Sequence, residues 1–163
     1  MKTLRRRISI LLLAFSGIVF SGIASAQLAR RQPAPGSGRE RLIGAWHLVS
    51  LQAPGADGKM TSVPGLSGTL IYTRDGHMSV QIMYPPSAAS LSNDYVLNGY
   101  EASFGSYDVD EAKHTVTHHV QGSITHALVG RTLVRVYRFT SDGRLIIRST
   151  RPDEHWSVTW QHD

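Results

Sequence analysis

The chain has 163 residues, no cysteine, and 17 Lys+Arg against 12 Asp+Glu. Without cysteine there can be no disulfide, no thiolate nucleophile and no cysteine-held metal, so packing and a complete hydrogen-bond ladder must hold the fold together. The net charge of +5 misleads: four cations, Lys2, Arg5, Arg6 and Arg7, lie at the N-terminus, which leaves 13 against 12 and no basic face for nucleic acid.

Those four cations precede an uncharged apolar run, Ile8 to Ile23, and a small-residue site, Ala24-Ser25-Ala26, before Gln27. That order is the pattern of a secretory signal peptide. The run is short for a membrane span, so residues 1–26 are expected to be removed. The mature chain is then expected to be secreted or periplasmic, with no membrane span after signal removal. Residues 27–40 are rich in Pro, Gly, Ser and Arg with little to bury and read as a flexible linker. Residues 41–163 are expected to be one domain with its own core.

From there the chain reads as a string of strands. Leu42 to Leu51 is apolar and ends at the turn chemistry of Pro54-Gly55-Ala56-Asp57-Gly58. Thr69 to Thr73 and His77 to Tyr84 flank Asp75-Gly76, a strong hairpin signal. Pro85-Pro86 ends the second of these strands, because proline cannot donate to a ladder. Ser87 to Tyr100 is the one stretch compatible with a short helix or lid. Ser103 to Val109, His114 to Gly122, Leu133 to Thr140, Arg144 to Thr150 and His155 to Gln161 complete the set, with a second hairpin turn at Ser141-Asp142-Gly143. About eight strands joined mostly by tight turns favour an all-β, single antiparallel up-and-down barrel over a parallel α/β sheet. A barrel of that size is just wide enough to be filled by side chains or to hold one small ligand.

Alternation predicts what faces inward. Met78, Val80 and Ile82 share one face of their strand, and His114, Val116, His118 and Val120 share one face of theirs. In strand 133–139, Leu133, Arg135, Tyr137 and Phe139 lie together and are taken as the inner face, although both faces are mixed.

Four segments together resemble the bacterial and fungal lipocalin-like domain family, small barrels related to the calycins. They are Gly44 to Ser50 (GAWHLVS), Gly68 to Met83 (GTLIYTRDGHMSVQIM), Val116 to Ser123 (VTHHVQGS) and Val129 to Phe139 (VGRTLVRVYRF). The resemblance implies an apolar cup over Leu42 to Gln161. It also implies that Trp46 plugs the closed end, with Arg148 a candidate for stacking over the indole. Asn93-Asp94-Tyr95 is similar to another lipocalin motif but falls too early in the strand order to serve as one.

The chemistry is sparse. Eight histidines invite a metal, but His118 and His119 point to opposite faces. His114 and His118 are roughly 13 Å apart at about 3.3 Å per residue, too far for one ion. No metal and no cofactor is expected, and Gly122-Ser123 lacks the strand-turn-helix setting of a nucleophile elbow. What remains is an apolar cavity with a few polar groups, the usual make-up of a small-molecule site. Its expected lining is Tyr72, Met78, Val80, Ile82, Val116, His118, Val120, Arg135 and Tyr137. The expected partner is a small hydrophobic or aromatic ligand, with a carboxylate head group suited to Arg135. The alternative is a cofactor-independent isomerase, cyclase or lyase in the same cup. There His118 would be the acid–base near its natural pKa, Tyr107 or Tyr137 would polarise an oxygen, and Arg135 would stabilise an oxyanion. Ligand identity and oligomeric state are not written in the sequence.

Overall fold

The structure, a computed structural model, describes residues 36–88 and 91–163. The expected signal peptide and residues 27–35 lie outside the described residues. A short helix, α1 (Gly38–Leu42), opens the described chain. Nine strands follow: β1 (Gly44–Pro54), β2 (Met60–Ser62), β3 (Ser67–Tyr72), β4 (His77–Met83), β5 (Tyr100–Asp110), β6 (Thr115–Ser123), β7 (Thr132–Phe139), β8 (Leu145–Ser149) and β9 (Ser157–His162). From β3 to β9 each strand pairs with the next, every pair antiparallel, and β9 returns to pair with β1. Eight strands therefore close into a barrel, and closure leaves no long unpaired edge. The ninth, β2, adds to the end of β1 at Gln52 to Pro54, while β3 pairs with its beginning at Gly44 to His47.

Both Asp-Gly hairpins form where the sequence puts them, at Asp75-Gly76 between β3 and β4 and at Asp142-Gly143 between β7 and β8. The alternation also holds, with Met78 and Ile82, then Val116, His118 and Val120, then Leu133, Arg135 and Tyr137 all buried. His114 departs from it. It sits in the turn before β6 with φ +51° and is exposed, so it does not join the inner face of that strand. At Gly105 a bulge shifts the β5–β6 register, and the His119 backbone lies so close that a Cβ there would overlap its carbonyl oxygen.

The two ends of the barrel differ. At one end Trp46, Tyr72, Met78, Tyr107, Val116, Tyr137 and Leu145 pack into a continuous buried core. Over it lies α1, whose first three residues fall in the stretch that sequence assigns to the linker. Ser37 caps α1 by accepting from the Glu40 amide at 3.2 Å. The Gly38 and Arg39 amides donate to the Glu111 carboxylate at 2.9 and 2.8 Å. Leu42 is fully buried.

At the other end lie the 84–99, 124–131 and 150–156 connections. No helix spans Ser87 to Tyr100 among the described residues; a 3-10 turn at Pro86–Ala88 gives way to bends. Asn93 organises them, its side-chain oxygen accepting from the Tyr95 and Val96 amides at 2.8 and 2.9 Å. An Asx turn of this kind competes with helix for the same backbone donors. Val96 is 2% exposed and tucked under this lid.

Candidate functional site

The half of the barrel beneath the lid is hollow. A cavity of about 220 Å³ runs from Leu70, His118 and Trp160 up to Asn93, Tyr95 and Val96. Aliphatic walls come from Leu51 on β1, Ile82 on β4, Ile147 on β8 and Val158 on β9, and aromatic ones from Tyr84, Tyr95, Trp156 and Trp160.

Of the residues expected from sequence to line it, Val80, Ile82, His118 and Arg135 do so. Tyr72, Met78, Val116 and Tyr137 point inward but fill the solid end beneath, and Val120 packs with Leu128 and Leu133 in a separate small cluster. Tyr107 is also in the solid end, where its hydroxyl donates to the Thr73 carbonyl at 2.9 Å. Neither Tyr107 nor Tyr137 can therefore polarise a group held in the cavity. The reason is depth: alternation decides which face a residue occupies but not how far along the barrel the filling stops.

The floor is a hydrogen-bonded pair. Tyr72 Oη and His118 Nε2 lie 2.7 Å apart, both buried. Burial raises the Tyr72 pKa, with Tyr107 adding to the rise, so the phenol keeps its proton. A buried hydroxyl must donate, and Nε2 is the partner the structure gives it. His118 then carries its own proton on Nδ1. Burial, helped by the Arg135 charge, pushes the His118 pKa down to about 3. A ring so shifted is neutral near pH 7, unlike the acid–base near its natural pKa expected in the enzymatic alternative.

Arg135 sits in the wall with its charge already matched. Its guanidinium lies 3.7 Å from Glu154, donates to the Tyr95 hydroxyl at 3.1 Å, and stacks over the Trp156 ring at 4.9 Å. Glu154 in turn accepts from Tyr95 Oη at 2.7 Å and Ser149 Oγ at 2.5 Å. These hydrogen bonds and the Arg135 and Arg151 charges outweigh burial and hold its carboxyl below the ordinary range. A ligand carboxylate, the head group expected for Arg135, would have to compete with Glu154.

Sequence reasoning misses Glu101, which faces the cavity from β5 opposite Ile82. Local pattern starts that strand at Ser103, whereas it begins at Tyr100, and so leaves this carboxyl in the lid. Burial raises the Glu101 pKa from 4.5 to about 7, with Arg135 opposing. Among the described residues no three of His, Asp and Glu converge to hold a metal ion, and no helix is long and apolar enough to cross a membrane.

The two shifted groups pull stability in opposite directions. Between about pH 3 and 6.5 the unfolded chain holds a proton on His118 that the folded chain does not, so stability rises with pH there. Between about pH 4.5 and 7 the folded chain holds a proton on Glu101 that the unfolded chain has lost, so that contribution falls as pH rises. Urea midpoints measured across pH should give an acid limb below about 4.5. In His118→Gln that limb should be shallower by about 1.4 kcal/mol per pH unit. An unchanged limb would mean that His118 titrates normally.

Among curated proteins none matches the chain. Of solved structures it is similar to wild-type fluorescent protein UnaG, at 15% identity over 76% of this chain and 98% of that one, with a TM-score of 0.38. A single-residue mutant of UnaG gives 13% identity over 76% and 97%, also at 0.38. A family model described as a lipocalin-like domain matches residues 43–162. That stretch starts one residue before β1 and ends with β9, so it takes in every strand of the barrel: the chain belongs to the lipocalin-like domain family.

Proposed function

We propose that this protein binds a small, mainly apolar aromatic molecule in the barrel cavity. The observation that carries the reading is the hollow itself: aliphatic and aromatic walls around a space of about 220 Å³, with few polar groups to set orientation. Apolar walls supply affinity, and sparse polar groups supply orientation. A dry cavity of about 150 Å³ admits benzene, so a substituted benzene or a fused bicyclic ring is the right scale here. The same proposal places the mature protein outside the cytoplasm, on the strength of the N-terminal charge, apolar run and Ala24-Ser25-Ala26. Intact mass of the exported protein should correspond to a chain beginning at Gln27.

Ethylbenzene or naphthalene should quench tryptophan emission saturably, because Trp156 and Trp160 line the cavity while Trp46 does not. Val80→Phe pushes a ring into that space and should weaken binding roughly tenfold or more while the far-UV spectrum persists. Absence of saturable quenching by any such arene would remove the reading.

A further inference from the structure

The cavity's charge balance points to what its ligand carries. Glu101, partly buried on the inner face of β5, has no hydrogen-bond or ion-pair partner among the described residues, and it lines the cavity. The charged and titratable groups that share the cavity with it are Tyr84 from the end of β4, His118 from β6, Arg135 from β7 and Tyr95 from the lid. His118 is neutral and already holds the Tyr72 hydroxyl. Arg135 is matched by Glu154, which reaches it from the segment before β9. Arg135 acts on Glu101 through space, but its contacts go to Glu154 and the Tyr95 hydroxyl, so the Glu101 carboxylate has no direct counter-charge among the described residues. An enclosed carboxylate without a donor is costly, and a ligand that brings one relieves the cost.

We propose that the cavity selects a small aromatic amine whose ammonium pairs with Glu101, its ring lying between the aliphatic wall and Tyr84, Tyr95 and Trp156. This rests on the binding reading above and adds the ligand's polar group. Aromatic faces beside a carboxylate suit an ammonium, because the ring quadrupole and the carboxylate attract the same cation. An anionic ligand meets the Glu101 carboxylate instead, and finds Arg135 already engaged by Glu154. The recognition is also pH-gated, since the Glu101 carboxyl loses its proton at about 7, within the range where an alkylammonium stays charged.

Three near-isosteric probes test this by titration calorimetry on the full mature chain: ethylbenzene, benzylamine and benzoate. Benzylamine should bind at least roughly tenfold more tightly than ethylbenzene at about pH 8, and benzoate more weakly than either. Its affinity should rise roughly tenfold from about pH 6 to about pH 8 while that of ethylbenzene stays flat. Glu101→Gln should abolish both the preference and the pH dependence. If ethylbenzene binds and benzylamine gains nothing over it, or benzoate binds best, the amine assignment is overturned while the binding reading stands. If no probe binds, both fall. Should Glu101→Gln fail to fold, the pH series on the unaltered protein still separates these outcomes.

Discussion

Arg135→Ala is expected to destabilise the barrel by about 3 kcal/mol, because removing one member of a buried ion pair strands the other. Glu154 would keep Arg151 at 3.2 Å, which places the loss at the lower end of the range for such pairs. It would lose the guanidinium that also holds the Tyr95 hydroxyl and the Trp156 face. The double variant Arg135→Met with Glu154→Gln should recover most of the loss, since it removes both charges and keeps the volume. Chemical denaturation of Arg135→Met, Glu154→Gln and the double variant, read as a double-mutant cycle, isolates the pair. A loss below about 1 kcal/mol for Arg135→Ala would show that the pair behaves as though it were in water.

Trp46→Ala should cost about 3–5 kcal/mol, the range for deleting a large buried aromatic side chain. The indole is 2% exposed, its Nε1 donates to the Leu42 carbonyl at 2.8 Å, and it meets His162 edge-on at 4.7 Å and Phe139 at 6.2 Å. Arg148→Ala should change stability by less than about 0.5 kcal/mol, because Arg148 is exposed and does not reach the indole. The family resemblance implies an arginine from a late strand over Trp46. The structure instead places Arg41 of α1 over Phe139 at 3.8 Å, one ring removed from the indole. Thermal unfolding of the two variants decides between these arrangements.

The barrel is legible in the sequence because its strands are half-buried and amphipathic. In β6 the sequence Thr-Val-Thr-His-His-Val carries its own inside and outside, and two Asp-Gly turns fix the β3–β4 and β7–β8 registers. What escapes has no such period. The β2 residues Met60, Thr61 and Ser62 are all exposed, and α1 is five residues long with only Leu42 buried. Its contacts are with residues far along the chain, such as Glu111 and Phe139. A helix this short draws almost nothing from propensity and depends on its tertiary partners, so local composition reads its first three residues as linker and Leu42 as the start of a strand. The expected 87–100 helix fails for a related reason: the Asn93 side chain takes the amides that a helical turn would use.

The site is legible in part. Alternation in β7 puts Arg135 inside, but its neutralisation by Glu154 depends on a partner reached across a loop, which no local pattern encodes. Glu101 becomes visible only once β5 is seen to begin at Tyr100.

The seam between β1 and β9 bears on how such a chain folds. It pairs Trp46 with His162 and Gln52 with Ser157, at opposite ends of the described chain, whereas every other ladder joins strands that are near neighbours in sequence. Loop-closure entropy makes distant pairings slow to find. The sequential hairpins from β3 to β8 can assemble as a curved open sheet while the first strand waits for the ninth. Refolding should therefore be paced by that one late encounter, with Trp46 and Trp160, which sit on the two strands concerned, reporting its arrival.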